Sequence, residues 1–114
     1  MPISFEDISE QHRRIAITGR LDIAGTDEIA TKFPGLAAAS AKRIVVDLTG
    51  VTFLASIGIR AFVSTAKAVQ GRGGKMVLFV GENEVVRKTL EATGVDVLIP
   101  LFSDLAEADQ AANA

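Results

Sequence analysis

A serine, Ser56, stands in the largely apolar run Val51-Thr52-Phe53-Leu54-Ala55-Ser56-Ile57-Gly58-Ile59-Arg60. Apolar residues beyond it recur with helical spacing, so Ser56 falls where an extended segment becomes a helix. Two chemistries suit a hydroxyl there. As a helix N-cap it would accept a bond from the first turn, a contribution of about 0.5–2 kcal/mol relative to alanine. As a phosphate acceptor it would bring about −1.5 to −2 charges to the unbonded N–H groups and positive dipole end of the helix. Arg60, at i+4 and on the same side, could then pair with the phosphate. Nucleophilic catalysis lacks its parts. His12, the one histidine, lies in a polar stretch that reads as a solvated turn, and a base must sit within hydrogen-bond reach of its serine. The residues Leu54-Ala55-Ser56-Ile57-Gly58 do not form a GxSxG elbow, so a hydrolytic reading would have to recruit Asp22 or Asp47 as the base.

Other chemistry-bearing patterns fall away on inspection. Gly71-Arg72-Gly73-Gly74-Lys75 resembles a phosphate loop, but Val69 stands where the first glycine is required and Met76 where Ser or Thr is required. That loop also leaves a helix and enters a strand, the reverse of the required order. Glu82 and Glu84 suit a helix start for dipole reasons alone. The chain has no cysteine, which removes disulfides, thiolates and cysteine zinc sites. No cofactor and no metal are expected, and the sequence reads as a binding or relay module, not an enzyme.

Composition agrees with that reading. The 114 residues are 48% hydrophobic and 23% charged, with a net charge of −2 from 12 basic and 14 acidic residues. Such a chain suits one globular domain over residues 1–114. It carries neither Trp nor Tyr and shows no basic stripe, so no nucleic-acid partner is expected. Arg13-Arg14 and the Arg72/Lys75 turn read as solvated basic spots. The acidic, h-region-free start is no secretory signal. The longest charge-free run, between Asp47 and Arg60, falls short of the ~20 apolar residues of a membrane span. A cytoplasmic protein without membrane insertion is the expectation.

The elements that must position Ser56 follow from periodicity. Ile3-Ser4-Phe5 and Arg14 to Thr18 alternate as half-buried strands around a polar turn from Asp7 to His12, with Gly19 closing the second strand. Thr26, followed by Asp27 and Glu28, reads as a helix cap; Ile29, Phe33 and Leu36 share one face, with a kink or break at Pro34. The alanine-rich stretch from Ala37 ends at Lys42. Ile44 to Leu48 is a doubly buried strand, and Thr49-Gly50 a turn. Ser56 to Gln70 is a helix with Ile59, Phe62, Val63, Ala66 and Val69 inward, and Met76 to Val80 the next strand. A helix over Glu82 to Ala92 places Val85, Val86 and Leu90 inward and Gly94 as its left-handed terminator. Val95, Val97 and Ile99 alternate as a last strand stopped by Pro100, and Ser103-Asp104 caps a final helix. The order β-β-α-β-α-β-α-β-α implies one α/β domain with a mostly parallel sheet after the hairpin.

These segments resemble the STAS domains, named for sulphate transporters and anti-sigma factor antagonists. The similarity rests on Gly19-Arg20-Leu21-Asp22, the run Val45 to Ile59, Gly73-Gly74-Lys75-Met76-Val77-Leu78, Val85 to Leu90, and Gly94. The resemblance implies a mixed central sheet with an opening β-hairpin and helices packed largely on one side. It also implies an anti-sigma factor antagonist. Such a protein binds its anti-sigma factor, a Ser/Thr kinase, when unphosphorylated, freeing a sigma factor. It is switched off by phosphorylation at Ser56, and a PP2C-type phosphatase resets it. The implied partner face comprises Asp22, Ser56, Ile57, Gly58 and Arg60. Family members often carry Asp before the serine and Ser or Thr after it, where this chain has Ala55 and Ile57. Those neighbours motivate the alternative of a non-phosphorylated STAS accessory subunit of a membrane transport complex. A stressosome-type scaffold is a third option.

Overall fold

The structure, a computed structural model, describes residues 2–38 and 43–114. β1 (Ile3–Asp7) and β2 (His12–Leu21) form the opening antiparallel hairpin, with Ile3 opposite Ile17 and Asp7 opposite Arg13. β3 (Arg43–Leu54), β4 (Lys75–Phe79) and β5 (Leu101–Phe102) add in chain order, each parallel to the strand before it, giving the sheet β1-β2-β3-β4-β5. Parallel neighbours need crossovers. These are α1 (Ile23–Ile29) with α2 (Lys32–Ala37), then α3 (Ser56–Gly71), then α4 (Glu84–Ala92) with α5 (Val95–Leu98); α6 (Leu105–Asn113) follows β5.

The main core lies on one sheet face, where Ile15, Ile17, Ile44, Val46, Leu48 and Leu78 meet Phe33, Phe62, Val69, Val86 and Leu90 from the crossover helices. Phe33 and Phe62 pack edge to face, 5.8 Å between ring centres, an arrangement aromatic quadrupoles favour. The opposite face is covered by α6, whose Ala108 and Ala112 seat on Val45 and Val77. With both faces covered, β3 and β4 read as continuous apolar runs. The mixed sheet with helices largely on one side is the architecture expected.

β3 does not turn at Thr49-Gly50. It runs on to Leu54, and the pairing with β2 skips once between Ala16↔Asp47 and Thr18↔Gly50, and again between Gly19↔Val51 and Arg20↔Phe53. Each skip adds a residue to β3, as a β-bulge does. One extra residue would flip every later side chain to the wrong face; two restore the alternation. The inward residues of β3 are accordingly Ile44, Val46 and Leu48, then Val51 and Leu54. Asp47 Oδ1 accepts from Thr49 N at 2.9 Å and Thr49 Oγ1 at 2.7 Å, bracing the first bulge.

Several expectations are corrected. The cap of α1 is Asp22, whose Oδ1 accepts from Gly25 N at 2.8 Å; Thr26 lies buried inside the helix. Asp22 stands three residues before the N–H it receives, the usual cap geometry. The helix breaks at Ala30–Thr31, before Pro34, which sits in the first turn of α2, where a missing N–H is harmless. The stretch from Ala39 to Lys42 lies outside the described residues. Val95 to Ile99 is not a strand: after Gly94 (φ +77°) the chain makes the short α5, burying Val95 and Ile99 at i, i+4 and leaving Val97 exposed. The last strand begins after Pro100, whose carbonyl accepts from Leu78 N at 2.9 Å and so needs no proline N–H. Val85 is exposed, while Val86 and Leu90 are inward as expected. Gly94 as terminator and Asp104 as cap of α6 stand.

The basic residues at the start of β2 are not solvated. His12 is buried, with Nε2 3.2 Å from Asp109 Oδ1, an approach without hydrogen-bond alignment, and Nδ1 3.2 Å from Asn113 Nδ2. Arg13 is buried between Asp7 (2.6 Å) and the Leu36 carbonyl (2.9 Å). Arg14 grips Asp109 through two bonds, which raise its pKa further. These side chains tie the hairpin to α2 and α6.

Gly25 and Asp22 yield two expectations. A Cβ on Gly25 would lie 1.7 Å from the Arg20 carbonyl oxygen, whereas one on Gly35 meets nothing within 4 Å. Gly25→Ala should therefore destabilise by about 3 kcal/mol or more through overpacking, and Gly35→Ala should stabilise by about 0.5–1 kcal/mol; urea unfolding checks both. The Gly25 N–H first, and Arg20 second, hold the Asp22 carboxyl below its ordinary pKa. Its stabilisation is therefore present above the unfolded-state value and lost as pH falls through the lower folded one. Urea midpoints of wild type and Asp22→Asn should converge as pH drops from about 6 to about 3.

Candidate functional site

The carboxyl ends of β2 and β3 meet at the Leu21↔Leu54 pair. One residue beyond, the Ala55 N–H donates to the Leu21 carbonyl at 3.0 Å, and both chains then turn into helices. The starts of α1, at Asp22, and of α3, at Ala55, are thereby fixed side by side. Gly58 permits this approach: a Cβ there would sit 2.9 Å from Leu54 Cδ1 and 3.2 Å from Leu21 Cβ.

Ser56 is not the cap. Ala55 holds the cap position with extended backbone (φ −91°, ψ 168°) and no side-chain bond, so Ser56 is the first residue of α3. The reason is local: the Leu21–Ala55 bond keeps Ala55 extended, and helical geometry begins one residue later. Ser56 is exposed, and among the described residues its hydroxyl makes no hydrogen bond. The Ala55 carbonyl already receives Gly58 N (3.0 Å) and Ile59 N (3.2 Å). The N–H groups of Ser56 and Ile57 find no acceptor among the described residues, so the helix end keeps unspent donors beside the hydroxyl.

The surroundings mix charge with apolar surface. Asp22 Oδ2 lies 3.4 Å from Arg20 Nε, and the Arg20 guanidinium stacks 4.5 Å above the Phe53 ring. Between α1 and α3 runs an open groove of about 330 Å³, lined by Ile23, Ala30, Ile57 and Ala61 with Asp27 and Arg60 at its edge. Ile23 is 75% exposed and Ile57 41%. Of the residues singled out in the sequence, Asp22, Ser56, Ile57 and Arg60 gather at this end of the sheet, while Gly58 is buried beneath them. His12 does not join them. It begins β2 and Leu21 ends it, a separation of roughly 30 Å of strand.

Arg20, Ile23 and Phe53 were not singled out by sequence. Exposed apolar residues at a helix start, such as Ile23, were the available signal. Asn83 was missed too: its side chain caps α4 and reaches the carbonyls of β3, and a helix reading that began at Glu82 hid it. Among the described residues no group of three metal-ligating side chains forms, and no helix is long and apolar enough to cross a membrane.

The chain is 27% identical over 96 residues to the anti-sigma-F factor antagonist RsfB of Mycobacterium tuberculosis, spanning 82% of this chain and 75% of that protein. Its fold matches an anti-sigma factor antagonist from Mycobacterium paratuberculosis with a TM-score of 0.87 at 22% identity, over 98% of this chain and 93% of that one. It also matches Bacillus SpoIIAA, solved in an unphosphorylated form (TM-score 0.76, 16% identity, 98% and 97% of the two chains) and in a phosphorylated one (0.68, 16%, 96% and 98%). The family model of the STAS domain matches residues 7–108, and the chain belongs to the STAS domain family.

Proposed function

We propose that this protein is an anti-sigma factor antagonist whose switch is the Ser56 hydroxyl. The observation that carries the reading is an exposed serine at the first position of α3, its hydroxyl unbonded among the described residues, beside an apolar groove flanked by Ile23 and Ile57. The antagonist name of its relative RsfB supports the partner class. The partner is an anti-sigma factor that is also a Ser/Thr kinase. It docks over Asp22, Ser56, Ile57 and Arg60, with Gly58 setting the shape beneath. Docking is driven by burial of Ile23 and Ile57: 75% and 41% exposed in the free protein, they have about 1–2 and about 0.6–1.2 kcal/mol left to contribute if fully covered. Binding the kinase in competition with sigma shifts the population of free sigma by the difference of the two affinities.

Transfer of the γ-phosphoryl group of kinase-bound ATP to Ser56 Oγ, with ADP leaving and the hydroxyl proton passing to a base of the kinase, reverses this. The dianion is tolerated within the free protein, because the first-turn N–H groups and the helix dipole accept it and Arg60 stands one turn on. Inside an interface closed around a neutral hydroxyl it is desolvated and repelled. The complex dissociates, and a PP2C-type phosphatase restores the hydroxyl. These steps place the protein in the cytoplasm, where a sigma factor works.

The neutral neighbours Ala55 and Ile57 favour one second reading, a STAS accessory subunit of a membrane transport complex that never carries phosphate. Binding to the cognate anti-sigma kinase separates the two. Ser56→Ala should bind with wild-type affinity and stay bound in the presence of ATP, and Ser56→Asp should bind at least about tenfold more weakly, a difference of about 1.4 kcal/mol. Calorimetric titration of the three proteins measures this. Equal affinities for Ala and Asp variants would sink the switch, and stable co-purification with a transporter ATPase subunit would favour the second reading.

A further inference from the structure

The β3–β4 ladder ends at Asp47↔Phe79, while β3 runs seven residues further to Leu54. Beyond Asp47 one edge of β3 is paired with β2, and among the described residues the other has no strand beside it. Its carbonyls there need donors, since unpaired backbone groups at a partly buried edge are unfavourable. Asn83 supplies them. Its Nδ2 lies 2.8 Å from the Val51 carbonyl, 3.0 Å from that of Leu48 and 3.3 Å from that of Thr49. Two amide hydrogens are shared among three acceptors that span the first bulge. Meanwhile Asn83 Oδ1 accepts from Val86 N and caps α4. One carboxamide continues the ladder and starts the helix.

The geometry points to Asn83 as the positioning residue of the Ser56 site: its amide holds the outer half of β3 in the bulged register that carries Leu54, Ala55 and Ser56 to Leu21. Only a side chain with both donor and acceptor at this reach performs both tasks. Aspartate keeps the cap but sets a carboxylate against carbonyl oxygens. Serine also keeps a cap and is too short to span the bulge. Among the described residues no hydrogen bond joins Asn83 to Ser56; it acts through the four residues between Val51 and Ser56, the first three of them strand. The inference deepens the reading of Ser56 as the switch and depends on it only for the partner-binding measurement.

The test separates the two tasks in the full chain. Amide hydrogen exchange is followed in wild type, Asn83→Asp and Asn83→Ser, with the Ala55 N–H as the reporter nearest Ser56 and the first turns of α4 as the internal control. The expected result, in whichever variant folds, is exchange about tenfold or more faster at the hydrogen-bonded amides of residues 50–55 with α4 changed far less, since local opening is regional. Affinity for the anti-sigma kinase should fall in parallel. Exchange unchanged over 50–55, or raised equally there and in α4, overturns the assignment, because a cap alone would act on α4 or on the whole fold. Because exchange is read on the protein by itself, faster exchange with no kinase binding by wild type would discard the partner and leave the positioning role standing.

Discussion

Between Asp47 and Leu54, β3 carries two more residues than the stretch of β2 it pairs with, and the position of the Ser56 helix depends on how that excess is absorbed. Two bulges take it up, one braced by the Asp47 carboxylate and the Asn83 amide. They return the side chains to the core face in time for Leu54 to meet Leu21, so that Ala55 can donate to the Leu21 carbonyl. With only one of the bulges Leu54 would point to the opposite face, and with neither it would lie two residues out of register with Leu21; in both cases α3 would start elsewhere. The lack of a Cβ on Gly58 then lets α3 settle against Leu21.

The site that results is small and has few strong interactions of its own. Its charged groups are exposed, and pairs such as Arg20 with Asp22 contribute little to stability there. The buried charge network lies elsewhere, where Arg13 and Arg14 fasten β2 to α2 and α6. This division suits a surface that exchanges partners. The scaffold is held at one end of the sheet, and the other presents a hydroxyl, unbonded N–H groups and apolar side chains.

Much of the fold was legible because burial imposes a period. The doubly buried run Ile44 to Leu48, the stripe Phe62, Ala66 and Val69, and the hairpin alternation all mark their elements. Legibility failed where two local meanings compete. Thr49-Gly50 has turn composition, yet the inward spacing from Leu48 to Val51 to Leu54 is that of a bulged strand. Val95, Val97 and Ile99 alternate like a strand, but a left-handed Gly94 starts a helical turn that buries only the first and last. His12 looked solvated because Asp109 and Asn113, which cover it, lie about a hundred residues away in sequence. At the site, residue type pointed to Ser56, but not to its place inside the helix. A long-range bond from Ala55 to Leu21 sets that boundary.

The central claim is that Ser56 carries the switch. The most direct measurement is the intact and peptide mass of the protein taken from its native cells with phosphatases inhibited. The expected result is a fraction bearing one phosphoryl group, localised to Ser56 and varying with growth and stress. Absence of phosphate on Ser56 under every condition, with the protein abundant, would contradict the claim.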